Sequence, residues 1–284
     1  MIDDKKLKEF EGKLSGKFVY DDLHKALYAT DASVYRKIPL AVAYPKDHND
    51  LQVLIEFAKS NGVTLIPRTA GTSLAGQCVG DGIVVDVSKH FTNIIAFDEQ
   101  NKTITVEPGV VRDELNLFLK PFGLFFGPNT STSNRCMIGG MVGNNSSGST
   151  SIKYGVTRDK VLQIDGILSD GSKATFKEIS SKDFKKKTQK NTLEGKIYTS
   201  IFNELSQKNI QQEIKDQFPK PSIHRRNTGY AVDELLNSNL FGGQETTINL
   251  AKLLAGSEGT LVFSTAITLQ LDTLQPEESI IIAS

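Results

Sequence analysis

The chain has 284 residues, of which 38% are hydrophobic and 23% are charged, a composition ordinary for one or two globular domains. Its 33 Lys and Arg balance its 33 Asp and Glu, so no net charge attracts nucleic acid or an anionic membrane surface. No stretch is apolar for long enough to span a bilayer, and residues 1–6 lack the apolar core of a signal peptide. We therefore expect a cytoplasmic protein that binds no nucleic acid.

The first part of the chain predicts a β-α-β unit. In chain order the predicted elements are short helices at 5–14 and 22–29, a buried strand at 40–44, an amphipathic helix at 49–60 with Asn49 as its N-cap, and a strand at 63–67. In α/β units of this kind the carboxyl ends of the strands carry the ligand site. Residues 67–76, which are rich in glycine, begin at such an end.

The rest of the chain predicts a second subdomain of largely antiparallel sheet. The predicted elements are strands at 83–87, 94–97 and 103–107, a helix at 111–119, two β-rich runs within 161–176 that meet at a turn at 169–171, a solvated basic stretch at 182–190, a helix at 197–218 and a strand at 261–271. The apolar run 279–284 has nothing after it to pair with, and we interpret it as the start of a further domain that has been cut.

Two glycine-rich segments, 67–76 and 136–148, are the most informative part of the sequence. Both offer bare backbone amides and small hydroxyl side chains, which suit a pyrophosphate. Neither has the spacing of a nicotinamide-binding turn or of a Walker A loop. The second segment could be a flexible linker, but Met137, Ile138 and Met141 are apolar in a way that linkers are not. A ligand long enough to touch both segments fits, and FAD is such a dinucleotide.

Six segments in this order closely resemble the FAD-binding domain of the vanillyl-alcohol oxidase and p-cresol methylhydroxylase (PCMH) superfamily. They are 66–76, 126–129, 138–140, 144–148, 153–159 and 256–261. The nearest resemblance is to the 2-hydroxyacid branch, which includes glycolate oxidase, D-lactate dehydrogenase and D-2-hydroxyglutarate dehydrogenase, and it covers about residues 20–271.

The resemblance implies an α+β fold of the PCMH type, with two subdomains. A helical lead-in at 1–35 precedes the FAD-binding domain at 36–271. Within that domain a small parallel β-α-β subdomain spans about 36–90, and a larger, mostly antiparallel α/β subdomain spans about 91–271. Residues 272–284 then begin the substrate or cap domain.

The resemblance also assigns the cofactor site. The residues expected to bind FAD are Arg68, Thr69, Ala70, Gly71, Thr72, Ser73, Leu74, Pro128, Ile138, Gly139, Gly140, Asn144, Ser147, Gly148, Gly155, Val161, Glu258 and Gly259. Relatives with a histidyl-linked flavin carry His where this chain has Thr72, so the resemblance implies non-covalent FAD. Cys136 is interpreted as a small buried thiol, and Cys78 has no partner spacing for a metal. No metal site is expected.

The resemblance assigns the substrate site to Arg225, Arg226 and Thr228. Arginine pairs with a carboxylate through two parallel hydrogen bonds, so this residue type suits an anionic 2-hydroxy acid. A basic surface turn is the alternative interpretation of these residues. The histidines His24, His48 and His90 show no partner pattern and are not expected to be catalytic.

The implied reaction is oxidation of a D-2-hydroxy acid to the 2-oxo acid, with hydride transfer to flavin N5. An acceptor protein or a quinone would take the electrons. Relatives carry the cap and the catalytic base after the FAD-binding domain, together with any iron-sulfur or metal centre, so this chain alone is expected to be inactive. Two alternatives stay open: an FAD-carrying electron-transfer subunit that needs partner chains, and a non-catalytic nucleotide-binding module.

Overall fold

The computed structural model describes residues 4–220, 222–223, 225–226 and 229–275. Its strands are β1 Lys17–Val19, β2 Ala41–Tyr44, β3 Leu65–Arg68, β4 Ile83–Asp86, β5 Ile94–Asp98, β6 Thr103–Val106, β7 Leu124–Phe125, β8 Val161–Ile167, β9 Lys173–Ser180, β10 Thr247–Asn249, β11 Phe263–Gln270 and β12 Asp272–Thr273. Its α-helices are α1 Asp4–Phe10, α2 Asp22–Leu27, α3 His48–Asn61, α4 Arg112–Leu119, α5 Ile138–Asn144, α6 Ser151–Tyr154, α7 Thr157–Lys160, α8 Ser181–Thr188, α9 Leu193–Leu205, α10 Lys208–Gln217, α11 Val232–Leu235 and α12 Ala251–Leu254. Short 3₁₀ helices lie at Lys120–Phe122 and Asn239–Phe241.

A four-stranded sheet in the order β1-β2-β4-β3 forms the first layer. Strands β2 and β3 both pair in parallel with β4, which lies between them, and β1 pairs antiparallel with β2. Strands β2 and β4 are buried along their whole length, as expected of parallel strands covered on both faces. The predicted β-α-β unit is confirmed, with β4 inserted between its two strands.

Helix α3 covers this sheet with the face that carries Leu51, Leu54 and Ile55. Its N-cap is Asp47, whose carboxylate accepts the backbone N–H groups of residues 49 and 50, so the predicted cap at Asn49 is wrong by two positions. An Asp side chain directly before the first turn satisfies the donors that the helix leaves unpaired. Gly62, at φ 62°, ends the helix, close to the predicted end at residue 60.

The buried carboxylate of Asp50 ties the N-terminal segment to the start of α3. It accepts the backbone N–H groups of Ser15 at 2.8 Å, Gly16 at 2.9 Å and Lys46 at 2.8 Å, and also the Ser15 hydroxyl. Burial alone would raise the pKa of Asp50, but these donors outweigh it and lower the pKa. The ionised form is therefore the one that stabilises the fold.

We expect Asp50→Asn to lower the free energy of unfolding at neutral pH by about 2–3 kcal/mol, since the amide presents donors to groups that need an acceptor. The folded pKa lies below the unfolded value, so this stabilisation is present above about pH 4 and is lost as the pH falls through the folded pKa. Urea unfolding at several pH values measures it. The matched control is Asp22→Asn at an exposed carboxylate. An equal loss of unfolding free energy in both variants contradicts the prediction. So does a difference between Asp50→Asn and the unchanged chain that does not shrink in acid.

The second layer is a six-stranded antiparallel sheet in the order β10-β9-β8-β11-β6-β5. The predicted hairpins β5–β6 and β8–β9 are both present, and Gly171 in the second turn has a φ of 84°. The strand predicted at 261–271 is β11, which lies inside the sheet between β8 and β6. One mixed, mainly parallel sheet and one antiparallel sheet thus give the predicted α+β class.

Three predicted segments differ from the structure. The helix predicted at 197–218 is two helices, α9 and α10, and the Gln211 amide donates to the Leu205 carbonyl at 2.7 Å where α9 ends. The polar stretch at 182–190, predicted to be a solvated loop or helix end, is mostly exposed as expected, and most of it is helix α8. Part of the second glycine-rich segment is helix α5. In α5 the glycines run against local helix propensity, so tertiary contacts override it there.

The chain end shows a further pairing. Strand β12 pairs antiparallel with β7, so residues 272–273 are attached to the fold described above. The predicted apolar run at 279–284 lies outside the described residues, and the predicted subdomain boundaries stay a prediction. Within the part of the chain that is described, the helices are too short or too polar to cross a bilayer.

Candidate functional site: a cleft between the glycine-rich segments

A cleft of about 1130 Å³ opens where the glycine-rich segments meet. Its main lining segments are 67–75, 129–132, 139–144, 146–149 and 257–259. The volume is at or above the upper end of the roughly 300–1,000 Å³ range that is usual for small-molecule sites. The cleft therefore suits a ligand larger than a typical metabolite.

The first glycine-rich segment follows β3, and the side chain of Arg68 supports it. The Arg68 guanidinium lies 5.0 Å from the ring centroid of Tyr28 and donates to the Thr30 carbonyl at 2.8 Å. Gly71 has a φ of 64°, and a Cβ there would lie 2.6 Å from Nη2 of Arg68. The loop thus rests on a fixed cation, with its backbone in a conformation that glycine adopts at little cost.

Helix α5 supplies the second wall, and two glycines set its position. A Cβ on Gly139 would lie 2.5 Å from Cβ of Pro108, and the Gly139 N–H donates to the Pro108 carbonyl at 2.8 Å. A Cβ on Gly140 would lie 2.7 Å from the hydroxyl oxygen of Thr69. Only a residue without a side chain lets the helix approach both the Pro108 turn and the first loop this closely.

Gly148 brings two further segments into backbone contact. A Cβ at this position would lie 1.6 Å from the carbonyl oxygen of Asn129. Both residues line the cleft. The contact therefore fixes the 146–149 segment against the 129–132 segment.

The loop at 257–259 completes the cleft wall. The Glu258 N–H donates to the Gly143 carbonyl at 2.9 Å, and the Gly256 N–H donates to the Val142 carbonyl at 2.8 Å. Two backbone bonds therefore attach this loop to α5. Glu258 has a φ of 54°, which is uncommon for a residue other than glycine.

Gln77 joins three of these segments with one amide, and no local sequence pattern points to this residue. Its Oε1 is hydrogen-bonded to the Ser73 hydroxyl. Its Nε2 donates to Asn144 Oδ1 at 3.4 Å and to Glu258 Oε1 at 3.3 Å. Burial raises the pKa of the Glu258 carboxyl, and the bond from Gln77 opposes that effect only in part.

Arg158 anchors the cleft wall from behind. It is 4% exposed, its Nη2 donates to the Ala255 carbonyl at 2.7 Å, and its Nε donates to the Lys252 carbonyl at 3.1 Å. Nη2 also lies 3.4 Å from the Gly229 carbonyl. The Arg158 N–H donates to the Asn145 side chain, which follows α5. One buried guanidinium thus holds the 255–259 loop and the segment before α11.

The two candidate substrate arginines have different partners in the structure. Nε of Arg225 donates to the Ser147 hydroxyl at 3.0 Å, and Ser147 lines the cleft. Arg226 instead forms ion pairs with Asp233 and Glu234 and is only 13% exposed. Thr228, the third predicted substrate residue, lies outside the described residues.

Most of the predicted cofactor residues lie at the cleft. Those that line it are Arg68, Thr69, Ala70, Gly71, Thr72, Ser73, Leu74, Gly139, Gly140, Asn144, Ser147, Gly148, Glu258 and Gly259. Those that do not are Pro128, Ile138, Gly155 and Val161. Ile138 and Val161 are completely buried. Gly155, at φ 75°, lies against Asp159 in the turn before α7.

Residues 39–176 match the family model described as "FAD binding domain". The chain carries an FAD binding domain. The matched range contains β2 to β8, the first glycine-rich segment and helix α5. The predicted cofactor, FAD, is thereby confirmed.

Curated relatives agree with this assignment. D-2-hydroxyglutarate dehydrogenase of Escherichia coli is 35% identical over 87% of this chain, and glycolate oxidase subunit GlcD of Bacillus subtilis is 34% identical over 59%. The mitochondrial D-lactate dehydrogenase (cytochrome) 1 of Saccharomyces cerevisiae is 30% identical over 47%. These matches span 24%, 36% and 23% of the relatives, so the chain corresponds to a part of each.

Solved structures confirm the fold. An alkyldihydroxyacetonephosphate synthase superposes with a TM-score of 0.63 over 96% of this chain and 41% of its own, at 16% identity. The BBE-like 1 protein of Physcomitrella patens gives a TM-score of 0.59 over 94% of this chain and 44% of its own, at 18% identity. The predicted PCMH-type fold is therefore confirmed.

Both thiols of the FAD binding domain lie at the cleft, and both are buried. Burial raises the pKa of Cys78 to about 11 and also raises the pKa of Cys136. Thiols in this state are protonated and are poor nucleophiles at neutral pH. These observations support the prediction that the flavin is held without a covalent bond.

Proposed function

We propose that this chain is the FAD-binding part of a dehydrogenase or oxidase that converts a D-2-hydroxy acid into the 2-oxo acid. One observation carries the proposal: a cleft of about 1130 Å³ brings together the glycine-rich segments of an FAD binding domain, and Arg225 donates to Ser147 in its lining. The relatives named after D-2-hydroxyglutarate, glycolate and D-lactate support this substrate class.

The residues of the cleft fit FAD. Gly71, Gly140 and Gly148 line the cleft, and a residue without a side chain lets its backbone amide approach a ligand closely. Amides of this kind bind a pyrophosphate without cationic side chains. Arg68 lies below the first loop and adds a positive charge on that side. We assign pyrophosphate binding to these segments.

When bound, FAD supplies a hydride acceptor at N5 of its isoalloxazine. The share of this chain is to orient the substrate. Arg225 donates from Nε to Ser147, which holds the guanidinium at the cleft. We assign its two Nη groups to the bidentate pairing with a substrate carboxylate that arginine prefers. Arg226 is neutralised by Asp233 and Glu234, so Arg225 is the stronger candidate of the two.

The electron acceptor is proposed to be a protein or a quinone. The relative named as a cytochrome-linked D-lactate dehydrogenase supports a protein acceptor. The cytoplasmic location expected from the composition stays a prediction.

Absorbance spectroscopy after incubation with FAD and desalting tests the proposal. We expect the chain to retain about one FAD, because the cleft is formed by the described residues themselves. Acid precipitation should release all the yellow colour, since the cleft offers no activated nucleophile for a covalent bond. A folded but colourless protein refutes the cofactor assignment, and colour that stays with the precipitate refutes the non-covalent one.

The same sample tests the substrate class. D-2-hydroxyglutarate, D-lactate and glycolate are added to the FAD-loaded chain, and the flavin spectrum is followed for the shift that a neighbouring carboxylate causes. Arg225→Ala should keep its FAD and lose most of that response. An equal response in Arg225→Ala and in the unchanged chain removes Arg225 from the proposed site.

A further inference from the structure

The carboxyl group of Glu258 occupies an unusual position in the FAD cleft. The residue lines the cleft beside Ser257 and Gly259, on a loop that two backbone bonds attach to α5. It is half-buried, and its Oε1 accepts a hydrogen bond from a neutral amide, that of Gln77, at 3.3 Å. Burying a carboxyl away from water costs free energy, and hydrogen bonds from a ligand offset part of that cost.

The backbone at Glu258 is a second, independent observation. Its φ of 54° lies in the left-handed region, where a residue with a side chain is less stable than glycine. The next residue, Gly259, is also in this region, with a φ of 73°, but there the chain uses glycine. Backbone strain that is kept in a cleft points to a task for the side chain.

The chemistry of FAD limits which part of the cofactor the side chain of Glu258 can bind. A carboxylate repels the pyrophosphate, which the backbone amides of the glycine-rich segments can hold without it. It accepts hydrogen bonds well from hydroxyl groups, as the acidic residue of other dinucleotide sites does from a ribose. FAD carries hydroxyls on both sides of its pyrophosphate, in the ribityl chain and in the ribose of the adenosine.

We propose that Glu258 binds sugar hydroxyls of FAD and that Gln77 is its positioning residue. Gln77 is held by Ser73 from the first glycine-rich segment and by Asn144 from α5, so its amide has a fixed direction. That direction brings Nε2 to Oε1 of Glu258 and leaves the second carboxyl oxygen for the ligand. This inference rests on the proposed binding of FAD in the cleft.

Glu258→Gly is the decisive variant because it should keep or raise the stability of the chain while it lowers the affinity for FAD. Glycine relieves the backbone strain, so the flavin-free variant should melt at the same temperature as the unchanged chain or at a higher one. It also removes the acceptor, so the dissociation constant for FAD should rise about tenfold, the loss expected for one hydrogen bond to a charged group. Replacing a merely structural residue would lower the melting temperature and the affinity for FAD together.

Lys102→Gly is the matched control. Lys102 has a φ of 52° and lies in the β5–β6 turn, away from the residues that line the cleft. It should show the same gain in melting temperature, with a dissociation constant within about twofold of the unchanged chain. Gln77→Leu should weaken FAD binding by a smaller factor than Glu258→Gly, since the carboxyl remains but is no longer oriented.

Flavin fluorescence titrations of FAD and FMN, with ADP as a competitor, complete the test. A loss confined to FAD and FMN assigns the ribityl hydroxyls, and a loss confined to FAD and ADP assigns the ribose. If Glu258→Gly binds FAD within about twofold of the unchanged chain, or if Lys102→Gly loses as much, the inference is overturned. If the unchanged chain binds no FAD, the proposed function itself fails.

Discussion

Gly148→Ala is expected to abolish FAD binding by this chain. The new Cβ would lie 1.6 Å from the carbonyl oxygen of Asn129 and 2.6 Å from its carbonyl carbon. Both contacts are with backbone, which cannot turn aside as a flexible side chain can. Relief therefore requires a shift of the 146–149 segment or of the 129–132 segment, and both line the cleft. Such overpacking costs about 1–3 kcal/mol or more, in addition to the lost site geometry.

Gly143→Ala is the control for this variant. Gly143 lies on α5 in the same glycine-rich segment, but the nearest atom to a Cβ there is 3.7 Å away, an ordinary contact. Alanine is also favoured over glycine in a helix by about 1 kcal/mol. Retained FAD and urea unfolding are measured for both variants. Equal FAD retention in the two would show that the Gly148 contact does not shape the site.

The sequence was sufficient for the elements with strong local patterns. The alternation of strand, amphipathic helix and strand in 40–67 predicted the parallel unit, and the turn at 169–171 predicted the hairpin β8–β9. It was insufficient for α5, because Gly139 and Gly140 count against a helix by propensity. Close approach to Pro108 and Thr69 explains why both are glycine, and that contact is invisible to a local pattern.

At the cleft, too, local features could be predicted from the sequence, and contacts between distant residues could not. Its glycine-rich loops were predicted because their composition is local. Gln77 was not predicted, because it contacts Asn144 and Glu258, which lie 67 and 181 positions further along the chain. Arg226 was predicted as a substrate residue of equal standing with Arg225, and only the fold brings it to Asp233 and Glu234. Periodicity and motif spacing carry no information about such pairs.

Arg158→Met is expected to cause the largest loss of stability. The guanidinium donates to the carbonyls of Ala255 and Lys252 and approaches that of Gly229, all in a buried setting. Methionine fills similar space but offers no donor, so these carbonyls lose their partners. We expect the free energy of unfolding to fall by about 3 kcal/mol or more. Urea unfolding at neutral pH measures the loss, and Arg36→Met at an exposed arginine should stay within about 0.5 kcal/mol of the unchanged chain.

Arg158→Lys separates the charge of this residue from its shape. Lysine keeps the positive charge, but its compact ammonium cannot reproduce the planar fork by which Nε and Nη2 both reach the Ala255 carbonyl. We therefore expect Arg158→Lys to recover only part of the stability and to bind FAD more weakly, since the 257–259 wall follows directly after Ala255. Full recovery of both properties by lysine would mean that a buried positive charge is sufficient and that the geometry of the fork does not hold the cleft wall.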